Sequence, residues 1–161
     1  MNETRIIAAT TPARIEQTRA LFREYAEATG HCECFQGLAK EVEGLPGEYA
    51  PPFGQLLLAE AGSQPAGCVA LRKLDGGICE MKRLYVRPEF RGHGLGRRLA
   101  EAAIAGARQS GYGALRLDTL TSMAAARALY QTLGFRPIGR YNDNPIEGAV
   151  YLELSLDGIP I

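Results

Sequence analysis

The stretch that most constrains this chain is residues 80–98, Glu-Met-Lys-Arg-Leu-Tyr-Val-Arg-Pro-Glu-Phe-Arg-Gly-His-Gly-Leu-Gly-Arg-Arg. It reads as a strand, a glycine-rich turn and the start of a helix. Leu84, Tyr85 and Val86 are good strand formers. Pro88 ends the strand because proline cannot donate to a ladder. Gly92, Gly94 and Gly96 permit backbone paths that a Cβ would block. Apolar residues at Leu99, Ala103 and Ala107 then predict a helix from about Leu95 to Gln109. A helix start of this kind leaves amide N–H groups unpaired, and the dipole there favours negative charge. Arg91 and Arg97 flank the turn, so the junction suits a phosphate or pyrophosphate. The third glycine comes one place too early for the Rossmann fingerprint, and no Gly-Lys-Ser/Thr makes a Walker loop.

Charge points the same way. The chain carries 18 basic and 18 acidic residues, a formal net charge of zero, so the whole molecule is not built for nucleic acid. Between residues 82 and 98, however, Lys82, Arg83, Arg87, Arg91, Arg97 and Arg98 stand against Glu89 alone. That local excess suits an anionic cofactor. It does not suit single-stranded nucleic acid, because a buried-looking strand interrupts it and no stacking aromatics are interleaved. A length of 161 residues with 46% hydrophobic content indicates one soluble domain. Such a domain buries roughly 70% of its unfolded surface. The first residues lack a signal-peptide pattern and no apolar run approaches membrane-spanning length. The expectation is a cytoplasmic protein with no membrane partner. Cys68 and Cys79 lie in apolar strands and read as small core residues. His31, Cys32 and Cys34 lack the fourth ligand of a zinc site, so no metal is expected.

The rest of the chain supplies the frame. A strand over residues 5–9 precedes a helix from Pro12 to about Ala28, with Thr11 as its N-cap and Gly30 closing it. Residues 31–54 are irregular around a short helix that turns Phe35, Leu38 and Val42 inward. Strands follow over residues 55–60 and 67–74, joined through Gly62-Ser63-Gln64-Pro65, and the strand over 78–86 comes next. After the glycine loop and its helix come a strand over 114–120, a helix capped by Ser122, and strands over 135–141 and 150–156. The order is β-α-α-β-β-β-α-β-α-β-β. It implies an α/β (α+β) fold, a mixed central sheet of about seven strands with helices on both faces.

Arg91-Gly92-His93-Gly94-Leu95-Gly96 fits Arg/Gln-x-x-Gly-x-Gly/Ala, the acetyl-CoA pyrophosphate motif of the GNAT N-acetyltransferase superfamily, which this chain resembles. Residues 126–135, Ala-Arg-Ala-Leu-Tyr-Gln-Thr-Leu-Gly-Phe, resemble that family's Ala-x-x-Leu-Tyr-x-x-x-Gly-Phe. The element order is also the family's, so the resemblance covers nearly all of residues 1–161 as one GNAT-like domain. Glu-Met-Lys-Arg-Leu-Tyr-Val at 80–86 and Arg-Leu-Asp-Thr-Leu at 116–120 further resemble a bacterial subgroup, without indicating a substrate.

The resemblance implies acetyl-CoA as co-substrate and transfer of acetyl to a primary amine of a small molecule or peptide, by direct attack in a ternary complex. It implies cofactor contacts at Leu84, Tyr85, Val86, Arg91, Gly92, His93, Gly94, Leu95, Gly96, Arg97, Ser122, Ala126 and Tyr130. Where many members place Asn seven residues before the tyrosine, this chain has Met123, and Ser122 is the candidate to replace its hydrogen bond. Leu84 is implied as the oxyanion donor through its N–H, and Tyr130 as the acid that protonates the leaving thiolate. Glu80 stands eleven residues before Arg91, the spacing of the catalytic glutamate in histone-acetylating members. The alternative for Glu80 is a salt bridge to an arginine on a neighbouring strand. Asp118 is a weaker candidate base. Acceptors in the family enter from the first two helices and the last hairpin loop, which points to Glu24, Tyr25, His31, Tyr49, Tyr141 and Asp143. The contrasting reading is a CoA-binding regulatory or interaction module without turnover, to which Met123 lends slight support. Homodimerisation stays open.

Overall fold

In a computed structural model of the chain, residues 3–29, 38–144 and 146–156 are described. The elements are β1 (Thr4–Ala8), α1 (Pro12–Thr29), α2 (Leu38–Glu43), β2 (Gln55–Ala61), β3 (Gln64–Lys73), β4 (Ile78–Val86), α3 (Leu95–Gln109), β5 (Ala114–Leu120), α4 (Ala124–Thr132), β6 (Arg136–Ile138) and β7 (Ala149–Ser155). They build a seven-stranded sheet in the order β1-β2-β3-β4-β5-β7-β6. Every neighbouring pair is antiparallel except β4 and β5. Those two run parallel because the chain between them crosses over as α3, as parallel neighbours require.

Two apolar clusters lie on the two faces. On one, α3 turns Leu95, Leu99, Ala103 and Ala107 onto Val69, Leu71 and Leu115. The small residues of that stripe let the helix sit close to the sheet. On the other, Leu21 and Phe22 of α1 and Val42 of α2 cover Leu56, Leu58 and Ala70. A buried leucine such as Leu99 contributes about 1.5–3 kcal/mol through the area it removes from water. Cys68 and Cys79 are free thiols, both buried in these clusters. Burial pushes the Cys79 thiol up to about 12 and the Cys68 thiol up as well. Gly67 marks a close approach, since a Cβ there would stand 2.6 Å from the Tyr85 carbonyl oxygen.

Local signals hold with three adjustments. The Arg14 N–H donates to Thr11 Oγ1 at 3.3 Å, so α1 is capped as its sequence predicts. The β2–β3 turn is tighter than expected, with the strand resuming at Gln64. β6 is shorter than the expected 135–141, ending at Ile138, because Arg140 and Tyr141 leave the sheet to bond Asn144 and Glu80. Ser122 does not cap α4. Met123 occupies the N-cap without a side-chain bond, its own N–H turned back to the Leu120 carbonyl. Gly30, His31, Cys32, Cys34 and Phe35 lie outside the described residues.

A charged clasp joins α1 to the end of β4. Arg87 donates to both oxygens of Glu24 at 2.9 and 2.6 Å, and to the Pro65 carbonyl at 3.0 Å. The Arg87 hydrogen bond holds the Glu24 carboxyl below its ordinary value, against the opposing effect of burial. A carboxylate depressed in the folded state contributes stability that is complete above its unfolded pKa and lost as pH falls through the folded value. Glu24→Gln should therefore lower the melting temperature at neutral pH, and the deficit should shrink as pH falls below 4.5. Thermal melts of both proteins across that range check it; parallel curves would remove the clasp from the stability account.

Candidate functional site

β4 and β5 pair at only three positions, Ile78 with Ala114, Cys79 with Leu115 and Glu80 with Arg116. Beyond Glu80 the strands diverge. A bulge in β4 accompanies the divergence. Cys68 faces Tyr85 and Ala70 faces Lys82, so Val69 alone opposes both Arg83 and Leu84. Arg83 adopts a φ of +61°, a left-handed conformation that non-glycine residues seldom take. Its guanidinium reaches α2 and donates to both oxygens of Glu41, at 3.0 and 3.1 Å. The Cys68 thiol lies 3.4 Å from the Arg83 carbonyl oxygen. The β5-facing edge of β4 beyond Glu80 thus has no ladder partner among the described residues.

A cavity of about 530 Å³ opens at this edge, within the range of small-molecule sites. Leu84, Tyr85 and Val86 form one wall; Leu120, Ser122, Met123 and Ala126 form the other. Gly92, Gly94, Leu95, Gly96 and Arg91 close its end. Gly92 and Gly94 have φ of +85° and +78°, which a side chain would strain. The Arg98 N–H makes the bond to the Gly94 carbonyl that opens the helical ladder, so the Leu95, Gly96 and Arg97 amides stand ahead of it. Arg91 donates to the Val86 carbonyl at 2.8 Å and lies over the Tyr85 ring.

A smaller cavity, about 60 Å³, shares Tyr25, Leu84, Met123 and Ala126 with the first. Its further lining includes Lys82, Asp118 and Tyr130. Tyr130 is 7% exposed, with its ring 5.6 Å from that of Phe135. Burial, reinforced by Tyr25 and Asp118, pushes its phenol pKa up. Asp118 Oδ2 accepts from the side-chain amides of Asn142 at 3.0 Å and Asn144 at 3.2 Å.

Leu84, Tyr85, Val86, Arg91, Gly92, Gly94, Leu95, Gly96, Ser122 and Ala126 therefore come together around the larger cavity, and Tyr130 joins Leu84 and Ala126 at the smaller. His93 and Arg97 are exposed and line neither; Arg97 donates to Thr132 Oγ1 at 2.9 Å. Among the acceptor candidates, Tyr25 lines both cavities. Four others line neither cavity. Glu24 is engaged with Arg87, one residue round the helix from Tyr25. Tyr49 is 2% exposed, packed edge-on against Phe22, and its buried hydroxyl has no hydrogen-bond partner among the described residues. Tyr141 donates its hydroxyl to Glu80 at 2.6 Å, and Asp143 is exposed; neither lines these two cavities. His31 lies outside the described residues.

Of the two readings of Glu80, the salt bridge is the one formed. The residue is fully buried. Its Oε1 accepts from Arg72 at 2.8 Å and its Oε2 from Tyr141. It sits where β3, β4 and β5 are all still paired, at the last rung before the strands diverge, and lines neither cavity. Lys82 and Met123 are lining residues that sequence reasoning did not assign to a site. The period-two alternation from Glu80 would have placed Lys82 on its face, whereas Met123 carried no polar signal.

Residues 15–135 match the family model described as the acetyltransferase (GNAT) family. The chain belongs to the GNAT acetyltransferase family. An uncharacterized N-acetyltransferase of Schizosaccharomyces pombe is 38% identical over 153 residues, 94% of each chain. That fungal relative gives the narrower likeness to a bacterial subgroup no support. A crystal structure of a GNAT-family acetyltransferase from Staphylococcus aureus covers 96% of this chain and 100% of its own, with TM-score 0.79 and 18% identity. The PaiA N-acetyltransferase of Thermoplasma acidophilum, solved in complex with coenzyme A, covers 95% of this chain and 99% of its own, with TM-score 0.77 and 19% identity. At those identities the two structures establish the shared fold.

Removing the Glu80 charge leaves Arg72 with its exposed partner Glu48 as its carboxylate among the described residues. Breaking a buried pair from one side costs on the order of 3 kcal/mol. Glu80→Gln should show that loss as a lower urea midpoint. A variant of wild-type stability with abolished turnover would instead return Glu80 to a chemical role.

Proposed function

We propose that this protein is an acetyl-CoA-dependent N-acetyltransferase that moves acetyl to a primary amine of a small molecule or peptide in a ternary complex. The observation that carries the reading is the divergence of β4 and β5 over a cavity that ends on the glycine-lined start of α3. The residues fit the cofactor. The helix-start amides and Arg91 suit a pyrophosphate, the β4 edge at Leu84 and Val86, which has no neighbouring strand among the described residues, suits an amide-bearing arm, and 530 Å³ accommodates a portion of its length. The Thermoplasma neighbour's coenzyme A supports the same fit.

Bound acetyl-CoA would supply an activated acyl group and a thiolate leaving group. The chain's contributions follow from position. The Leu84 N–H donates to the acyl oxygen, an effect worth about 3 kcal/mol when the donor is held rigidly. The bulge at Arg83 provides that rigidity. Tyr130 would donate its phenolic proton to the departing sulfur; its burial favours the neutral phenol, the form that such a donor takes. Asp118, on the wall of the smaller cavity, takes the proton shed by the attacking amine. Tyr25 shapes the junction of the two cavities, and Ser122 and Met123 line the far wall. Among the described residues, no group of three or more His, Cys, Asp or Glu gathers as a metal site, and no helix is long and apolar enough to cross a membrane. Free buried thiols fit a reducing, cytoplasmic setting.

Gly96→Val adds a side chain beside Val86 without a left-handed backbone, since a Cβ there meets only Val86 Cγ2 at 3.8 Å. It should weaken coenzyme A binding by roughly tenfold or more, about 1.4 kcal/mol, in a protein that still melts cooperatively. Unchanged affinity in calorimetry would remove the cavity as the cofactor site.

Tyr130→Phe keeps the ring and its packing and deletes the O–H. The maximal rate should fall by roughly 10²-fold or more, with acetyl-CoA affinity nearly unchanged. Full activity would end the acid assignment. Tight coenzyme A binding with no turnover of any amine would favour a binding module instead.

A further inference from the structure

The smaller cavity holds two opposite charges that the protein itself leaves incompletely matched. On the sheet face that carries Glu80, the arginines are already committed. Arg83 forks onto Glu41, Arg116 pairs with Glu153 at 2.7 Å, and Arg72 bridges Glu48 and Glu80. Asp118 differs. It is half-buried, its hydrogen-bond donors are the neutral amides of Asn142 and Asn144, and no cation of the described residues lies within ion-pair distance. Lys82 differs too. Its side chain is 16% exposed and its nearest carboxylate oxygen, Glu80 Oε1, is 3.9 Å away and already taken by Arg72 at 2.8 Å. Lys82 and Asp118 line the same 60 Å³ space, on the two diverging strands, and that space adjoins the cofactor cavity through Leu84, Met123 and Ala126.

We propose that the acceptor presents a zwitterionic head, a primary amine with a carboxylate a few bonds away, as in a free amino acid. Its ammonium sits on Asp118 and its carboxylate on Lys82. The proposal rests on the acetyltransferase reading and names the substrate class of that site. Half-buried charges without a close counter-charge of their own keep part of their desolvation cost, which a ligand of opposite charges relieves. Size agrees. A water needs about 10–15 Å³ of such volume, so 60 Å³ admits the equivalent of about four to six. That is an amine, a carbon and a carboxylate, and not the body of a peptide.

Charge also acts against other amines. A polyamine would bring a second cation toward Lys82, and a peptide N-terminus would bring a neutral amide where Lys82 needs an anion. In the reaction the ammonium first passes a proton to the Asp118 carboxylate. The freed nitrogen lone pair then forms the N–C bond, the C–S bond breaks, the sulfur receives the Tyr130 proton, and the second proton leaving the nitrogen restores the Tyr130 phenol. Lys82 keeps its charge throughout, so its effect belongs to binding more than to the chemical step.

The test is steady-state kinetics of the whole protein with acetyl-CoA. The acceptors are the twenty amino acids and short ω-amino acids, their methyl esters, the matching decarboxylated amines, spermidine and short peptides. Free amino acids should be turned over in preference to their esters and decarboxylated forms. Lys82→Met should raise KM for the preferred amino acid by roughly 10–100-fold, the worth of a charge-assisted bond, with kcat and activity on the ester little changed. Lys82→Arg should restore most of the KM. Asp118→Asn should depress activity on acid and ester alike. Melting curves and coenzyme A titrations on each variant separate misfolding from lost recognition. The proposal is overturned if esters or decarboxylated amines serve as well as the acids, if no amino acid is turned over, or if Lys82→Met affects all acceptors equally. If coenzyme A binds and spermidine or peptides are acetylated in place of amino acids, this inference alone falls. If the wild-type protein does not bind coenzyme A, the acetyltransferase reading falls with it.

Discussion

The left-handed turn at Arg83 is the constraint on which the site depends. A non-glycine residue in that conformation costs of order 1–3 kcal/mol. It persists because the forked ion pair with Glu41 anchors the side chain on α2, where only 11% of it remains exposed. The extra residue of the bulge re-aims Leu84, Tyr85 and Val86. Their strand edge faces a cavity rather than a neighbouring strand. Without the bulge, β4 and β5 could pair along their length and the sheet would close over the space.

The same sheet face explains why so many charges can lie near the core. Glu80 is fully buried, yet both of its oxygens have a donor, so the desolvation cost is largely offset. Arg72 carries that network outward to Glu48, and Tyr141 brings the loop after β6 down onto the sheet. The Arg116 guanidinium lies over the Tyr141 ring, 5.3 Å from its centre, and adds a cation–π contact to the same cluster. These interactions hold the paired end of β4 and β5 shut. Beyond them Lys82 and Asp118 stand apart, and the ladder stops.

The larger cavity owes its end wall to backbone freedom. Two glycines in left-handed conformations turn the chain from β4 into α3 within a few residues. The helix then packs through Leu95, Leu99 and Ala103, which fixes where its first amides point. Packing, rather than any single contact with a ligand, positions that helix start. The large burial of Tyr130 has the same origin, with Phe135 beside it and α4 held over the sheet.

Short-range features were legible in the sequence. The strand, glycine loop and helix of residues 78–109 appear where alternation, proline, glycine and helical periodicity place them, because each signal acts within a few residues. The seven strands and their order of appearance follow likewise. Most of the residues around the larger cavity were readable through the family resemblance as a whole, its two motifs together with the strand before the glycine loop and Ser122. What the sequence could not show is which charged group meets which. Glu24 and Tyr25 are adjacent in sequence, yet one faces Arg87 and the other the cavities, because successive helical residues point about 100° apart and only the docking of α1 sets the phase. Tyr49 reads as a surface candidate but fills the core beside Phe22. Glu80 finds Arg72 only through strand register. Lys82 reaches the cavity of Asp118 only because a bulge and an early end to pairing separate β4 from β5, strands that the whole of α3 stands between in the chain. Register, bulge and helix docking are long-range outcomes of packing, and they alone turned a set of ionisable residues into buried pairs on one side and an open, oppositely charged site on the other.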